Sequence, residues 1–337
     1  MKTIVKKVFS QDDPCIKEAA NIIKNGGLVA FPTETVYGLG ANGLDDKACD
    51  KVYAVKGRPS DNPLILHIAN MSQLDDIAES VPEAARKLAE KFWPGPLTII
   101  FRPKNVPRGT SAKTIALRMP KNDIARKLIE YAETPIAAPS ANLSGRPSPT
   151  SVAHVLSDLD GLVDMVLDGG NCEHGLESTV IDCTTHPCAI LRPGSVTKEM
   201  IEAEIGPVQI ISEIASGDVP KSPGMKYKHY APKAKLTIVR GSGSQVRNKI
   251  ISLAKNCSTW NIGIAAASES LSHYEGFTVL NMGANTAEIA ANLFSVLRKC
   301  DEIGLSEVFV EAVEEKGLGV AIMNRLKKAA SYNIVEV

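Results

Sequence analysis

Four strong cations, Lys56, Arg58, Arg118 and Arg192, recur beside short hydroxyl-rich strings, with the acids Glu34 and Glu177 set among them. The strings are Pro32-Thr33-Glu34-Thr35-Val36-Tyr37-Gly38-Leu39-Gly40, Lys56-Gly57-Arg58-Pro59-Ser60, Pro139-Ser140-Ala141-Asn142 followed by Ser144 and Ser148, Ser178-Thr179, and Leu191-Arg192-Pro193-Gly194. Cations in excess over carboxylates suit a polyanion. Arginine forks and lysine point charges hold phosphate oxygens and stabilise the extra charge of a phosphoryl-transfer transition state. Taken singly, each string has an ordinary structural reading: Lys56 to Arg58 as a solvated helix end, Ser140 to Asn142 as a turn or cap, His67 as a core histidine, Thr33, Thr35 and Tyr37 as strand and turn formers. Only their joint occurrence at strand ends argues for a site, because ligands of open α/β sheets sit where strand ends and their loops meet.

The familiar nucleotide motifs do not account for this chemistry. Gly38, Gly40 and Gly43 match GxGxxG, but six residues separate Gly38 from the strand ending at Phe31, whereas a dinucleotide turn follows its strand at once. Gly241 and Gly243 follow a strand directly and precede a helix, yet Val246 stands at the third glycine position, so a plain tight turn is the simpler expectation. Neither GxxxxGK[ST] nor GxSxG occurs. Cys172, His174, Cys183, His186 and Cys188 do not have zinc-ligand spacing, and the apolar residues before Cys183 favour a strand there.

The elements that must position these groups follow from the hydrophobic pattern. Apolar runs of four to six residues alternate with amphipathic stretches, the pattern of an α/β chain. Strands are expected at 27–31, 64–68, 97–101, 115–118, 135–138, 165–168, 179–183 and 189–191, with helices at 13–24, 48–55, 82–91, 123–131 and 151–157. Asp12 or Asp13 caps the first helix, Pro14 lies in its first turn and Gly26 follows its end. Composition changes near residue 212. From Val219 to Ser268 there is no Asp or Glu but nine Lys and Arg, and the proline- and glycine-bearing part from Lys221 to Lys235 reads as a linker. The rhythm then restarts, with strands at 236–240, 262–266, 277–281 and 307–311 and helices at 244–255, 286–299 and 318–330, predicting a second, smaller doubly wound domain.

The chain has 337 residues, which exceeds one ordinary core, and its 38 Lys and Arg balance 38 Asp and Glu. That balance removes the basic excess expected of a dedicated nucleic-acid binder. No apolar run approaches a membrane span and the N-terminus lacks a signal-peptide core, so a cytoplasmic location without membrane contact is expected. Seven cysteines without a CxxC fit free thiols.

With these residues assembled, the chain resembles the YrdC-like family in its long, two-domain form, whose members make threonylcarbamoyl-AMP. The matching strings are PTETVYGLGA (32–41), KGRPSDNPL (56–64), FWPGPLT (92–98), ALRMP (116–120), APSANLSGRPSPT (138–150), GLESTVID (175–182) and ILRPGSVT (190–197). SPGMKYKHYAP (222–232) resembles the family's linker and GLGVAIMNRLKKAA (317–330) its C-terminal signature. The resemblance implies a YrdC-like twisted mixed sheet with flanking helices over 1–212, a linker over 213–235, and a Rossmann-like α/β domain over 236–337. Pro223, Gly224 and Pro232 can steer the linker back as an active-site lid, the alternative being a plain spacer between two domains. It implies that threonine, bicarbonate or CO₂, and ATP give threonylcarbamoyl-AMP and pyrophosphate. A downstream transferase would use the product to form threonylcarbamoyladenosine in tRNA.

Carried over by residue, the resemblance assigns Lys56, Arg58, Ser60, Thr114, Ser140, Asn142, Ser148, Arg192 and Tyr230 to ATP, with Lys56, Arg58 and Arg192 catalytic. It assigns Thr33, Thr35, His67, Arg118, the backbone at Ala138, and Ser178 to threonine, whose carboxylate Arg118 suits. Mg²⁺ would ride on the triphosphate, since no carboxylate cage is apparent. In the lid, Tyr230 would cover the phosphates while Lys226 and Lys228 add charge, excluding water from labile intermediates. Two other functions compete with this expectation: RNA or tRNA binding by the same fold, which an aromatic content of 5% with no stacking pattern among the basic residues of 219–268 limits to weak phosphate contact, and adenylation with another amino acid or acceptor.

Overall fold

Asp13 begins the first helix as its chemistry dictates: its carboxylate accepts the Cys15 N–H, Pro14 follows at the first helical position, and Gly26 leaves the helix at a left-handed φ of 74°. The computed structural model describes residues 2–104, 113–211, 229–259 and 261–337. They divide into two units, one of Met1–Ser144, Ser148–Glu173 and Glu177–Lys226, the other of Gly145–Pro147, His174–Leu176 and Tyr227–Val337. Two short loops from the motif-rich half therefore belong to the second unit.

The first unit runs β1 (Ile4–Lys7), α1 (Pro14–Lys24), β2 (Val29–Phe31), β3 (Gly38–Asn42), α2 (Asp46–Lys56), β4 (Ile65–His67), α3 (Met71–Ile77), α4 (Glu83–Phe92), β5 (Leu97–Phe101) and β6 (Ile115–Arg118). It continues with α5 (Asp123–Ala132), β7 (Ile136–Ala137), α6 (Val152–Leu159), β8 (Met165–Asp168), β9 (Thr179–Asp182), β10 (Ala189–Arg192), α7 (Lys198–Ile205) and β11 (Gln209–Ile210). Its strands form one mixed sheet in the order β1-β8-β2-β3-β7-β4-β6-β5-β9-β10-β11. Two apolar clusters pack on it. One contains Leu39, Val52, Leu66, Leu88 and Ile181, the other Ile16, Ile23, Phe31, Leu128 and Leu167.

The glycines that mimic a dinucleotide motif serve packing instead. Gly38 and Gly40 lie in β3, antiparallel to both β2 and β7, where a Cβ on Gly40 would stand 2.8 Å from the Phe31 ring and 2.9 Å from Ile136. Glycine is depleted in strands except where another group approaches this closely.

The second unit contains β12 (Lys235–Arg240), α8 (Gly243–Lys255), β13 (Ile262–Ala267), a 3₁₀ helix (Ser268–Tyr274), β14 (Thr278–Gly283), α9 (Thr286–Glu302), β15 (Glu307–Glu311), α10 (Leu318–Ala329) and β16 (Ile334–Glu336). All its strand pairs are parallel, in the order β14-β13-β15-β12-β16. Its core joins Val239, Ile250, Ile264, Tyr274 and Phe309. The turn after β12 is closed by Val337. Val337 donates its N–H to Arg240 O, and a Cβ on Gly241 would collide with Val337 O.

Candidate active site

Lys56 is the last residue of α2, a helix that Asp45 caps at its start and Gly57 ends at a left-handed φ of 58°. The buried ammonium donates from Nζ to Ser140 O and Asn142 O, each at 2.5 Å. The loop is held further by Ala141 N donating to Tyr37 O at 2.8 Å and Ser144 N donating to Lys56 O at 2.8 Å. Burial and the neighbouring Arg58 charge push Lys56 well below the ordinary lysine value, while Asp158 and Glu177 oppose them. Arg58 folds back on its own loop, Nε to Asn62 O at 3.0 Å and Nη2 to Asn62 Oδ1 at 2.7 Å and Pro63 O at 2.9 Å. The Lys56–Arg58 and Ser140–Asn142 elements are thus one hydrogen-bonded corner.

A second group lies along one row of the sheet. His67 pairs with Arg118, Arg118 with Thr98, Thr98 with Val180 and Val180 with Arg192, so a single register line crosses five strands. Directly paired residues project to the same face. Because β5 and β9 run opposite to β6 and β10, the line joins the C-terminal ends of β4, β6 and β10 to the beginnings of β5 and β9. Ser178 therefore enters just before its strand, where its Oγ lies 2.7 Å from Thr98 Oγ1 and accepts from Arg192 Nη2 at 3.1 Å, while its carbonyl accepts from Arg192 Nε at 3.1 Å.

Arg118 forms a buried ion pair with Glu34, Nη2 to Oε1 at 2.7 Å, and its Nε donates to Gly95 O at 3.3 Å. Burial pushes the Glu34 carboxyl up, but the Arg118 charge and hydrogen bonds outweigh it and hold the group below its ordinary value. Burial, with Arg118 beside it, pushes His67 down to about 3, so the ring is neutral at pH 7; Phe31 meets it edge-on. The Glu34 loop is closed by Thr33, whose Oγ1 accepts from Thr35 N and Val36 N at 3.2 Å and donates to Val36 O at 2.6 Å. Thr35 Oγ1 lies 2.8 Å from the same hydroxyl. Ala138 N–H donates to Ile65 O at 3.0 Å, so a backbone role for Ala138 falls to its carbonyl. Ser148 Oγ donates to Glu177 Oε1 at 2.6 Å.

Two expected members stand apart from these groups. Ser60 is exposed in the loop after α2. Thr114 immediately precedes β6, four residues from Arg118, about 13 Å along a strand. Lys226 and Lys228 lie outside the described residues. Tyr230 belongs to the second unit, where it adopts a φ of 65°, stacks on Phe294 at 5.3 Å between ring centroids and lies 5.7 Å beneath the Arg325 guanidinium. Sequence reasoning gave no role to Glu34, Glu177 or Thr98. The signal for the acids was their place inside hydroxyl-bearing strings, PTETVYGLGA and GLESTVID, since a buried carboxylate there needs a cation or donor as partner. Among the described residues no group of three or more His, Cys, Asp or Glu is placed to hold a metal ion.

The same arrangement has known relatives. A family model described as telomere recombination matches residues 21–194, and one described as threonylcarbamoyl-AMP synthase, C-terminal domain, matches residues 196–331. A threonylcarbamoyl-AMP synthase of Pyrococcus abyssi is 48% identical over 330 residues, 96% of either chain. That of Bacillus subtilis is 44% identical over 334 residues, 97% of this chain and 96% of the relative. The crystal structure of P. abyssi Sua5 complexed with L-threonine matches with a TM-score of 0.94 and 46% identity, over 99% of this chain and 100% of that one.

Proposed function

Because the chain belongs to the threonylcarbamoyl-AMP synthase family, we propose that it makes threonylcarbamoyl-AMP from L-threonine, bicarbonate or CO₂, and ATP, releasing pyrophosphate. The observation that carries this reading is the register line from His67 to Arg192. It brings Arg118, which we assign to the threonine carboxylate, and Arg192, which we assign to the phosphates, onto one face of one sheet, with Thr98 and Ser178 between them.

In the proposed reaction the neutral amine of threonine attacks CO₂ and loses a proton, forming a carbamate. A carbamate oxygen then attacks the α-phosphorus of ATP, the bond to the bridging oxygen breaks, and pyrophosphate leaves with that electron pair. Arg118 holds the threonine carboxylate, supported by His67, Ser178, Thr33, Thr35 and the Ala138 carbonyl. Lys56, Arg58 and Arg192 stabilise charge on the triphosphate, with Ser60, Thr114, Ser140, Asn142, Ser148 and Tyr230 as further ATP contacts. Lys56 comes to this task already fixed by two carbonyls, which keeps its charge where the phosphates need it. Mg²⁺, bound to the triphosphate, would neutralise part of its charge beside Lys56, Arg58 and Arg192. A transferase that modifies tRNA consumes the product.

RNA binding as the principal function is not favoured, since the full-length relatives are named as synthases. The test is pyrophosphate release by purified protein given ATP, bicarbonate and each amino acid in turn. Release that requires both threonine and bicarbonate is expected. Release with threonine that does not depend on bicarbonate overturns the proposal.

A further inference from the structure

The Glu34–Arg118 pair has a consequence for which ligands its neighbourhood accepts. Both residues are only 4% exposed. Of the five guanidinium hydrogens of Arg118, the one on Nε goes to Gly95 O and one on Nη2 faces Glu34, which leaves the Nη1 pair and the second Nη2 hydrogen for a carboxylate. The other titratable neighbours add no charge at pH 7. His67 is pushed down to about 3, and burial pushes the Cys172 thiol up to about 12. Glu34 cannot easily swing away, because the Thr33 hydroxyl closes the turn on both sides of it.

A buried electroneutral pair discriminates by charge. A simple carboxylate would bring one uncompensated negative charge into a water-poor site already holding Glu34. A zwitterion brings its own counter-charge, its carboxylate turned to Arg118 and its ammonium to the Glu34 side, so signs alternate and no net charge is buried. Without the Glu34 charge, Arg118 would be a buried cation lacking a partner, and a lone anion would be the better ligand.

We infer that Glu34 sets the charge specificity of the amino-acid site, holding Arg118 in a neutral pair so that the site takes zwitterionic amino acids in preference to simple carboxylates. The inference rests on the reading that Arg118 receives the threonine carboxylate. Glu34 acts through Arg118 and is a positioning and specificity residue for the same reaction.

The test is calorimetric titration of the full chain with L-threonine and with 3-hydroxybutanoate, which is threonine without its amino group. The wild-type protein is expected to bind threonine at least tenfold more tightly. Glu34→Gln is expected to cut that ratio at least tenfold, weakening threonine and strengthening 3-hydroxybutanoate, whereas Glu34→Asp keeps the threonine preference. A merely structural role for Glu34 would weaken both ligands together. A wild-type protein that binds both ligands equally, or a folded Glu34→Gln variant that keeps the wild-type ratio, overturns the inference. The wild-type comparison decides the matter alone should Glu34→Gln show no cooperative thermal transition. Should Arg118→Met leave threonine affinity unchanged, the underlying assignment of Arg118 fails instead.

Discussion

Ser148 donates to Glu177 Oε1 at 2.6 Å, and both residues are buried. Glu177 also raises the pKa of Lys56 against the opposing pull of burial and Arg58, so one carboxylate serves a hydroxyl and an ammonium at once. Within the proposed reaction this gives the acid a purpose: its charge opposes the loss of the Lys56 proton.

Replacing Glu177 by Gln keeps an acceptor for Ser148 and removes only the charge. Lys56 then loses one of the two carboxylates that hold its proton, and its pKa falls further. If the charged lysine is the active form, activity is lost as pH rises through the Lys56 pKa, so the alkaline limb of the pH profile moves to lower pH. We expect kcat/KM for ATP to fall about tenfold at mildly alkaline pH, equivalent to ~1.4 kcal/mol, and to recover as the pH is lowered. A profile with an unmoved alkaline limb contradicts this account.

The proposed roles divide the Lys56 corner from the Arg118 row by substrate. Lys56→Met removes the donor shared by Ser140 O and Asn142 O without touching the Glu34–Arg118 pair. Pyrophosphate release should fall about 10²-fold, the scale seen when a charge-stabilising donor is lost. Threonine affinity measured without ATP should change less than about threefold, within the range of a small surface effect. Equal loss of both would show that the corner and the row act as one element.

Strands that alternate cleanly or are fully apolar were legible in the sequence: 97–101, 115–118, 165–168 and 307–311 match the expected bounds to the residue. β3 was not, because Gly38 and Gly40 mimic a phosphate loop and their purpose lies in Phe31 and Ile136, which only the fold brings near. α3 buries only Leu74 and so carries no amphipathic pattern. β1 has no apolar run, and its Ile4 and Val5 are exposed at the sheet edge.

The candidate site divides in the same way. Cations such as Lys56 and Arg118 announce themselves by residue type. The partners that fix them, Glu34, Glu177, Thr98 and the Ser140 and Asn142 carbonyls, depend on long-range register and on backbone atoms that every residue possesses.

His67 makes a prediction about stability. Its folded pKa is about 3, lowered by burial and then by Arg118, against an ordinary value of 6.5. Between those values the unfolded chain binds the extra proton, so this contribution is full above about pH 6.5 and is lost as pH falls toward 3. The swing is on the order of 5 kcal/mol. Urea denaturation of wild type and His67→Gln from pH 7.5 to 4.5 should show a shallower acid decline in the variant. Parallel curves would mean that His67 is not buried as a neutral ring.

The turn at Gly241 gives a prediction confined to the second unit. Any Cβ there meets Val337 O at a distance no real contact adopts, and Val337 is itself held by its N–H donating to Arg240 O at 2.9 Å. Gly241→Ala must therefore displace the chain end and weaken the pairing of β16 with β12 at Ile238–Arg240. A loss of about 1–3 kcal/mol is expected, the range for overpacking a filled site. It should appear in the denaturation of this unit and leave threonine affinity unchanged. Deleting Val337 removes the obstructing atoms, so the same glycine substitution in the shortened chain should cost less, the remainder reflecting the φ of 155° at Gly241 that side-chain-bearing residues rarely adopt. An equal cost in both chains would place the need for glycine in the turn backbone rather than in the C-terminus.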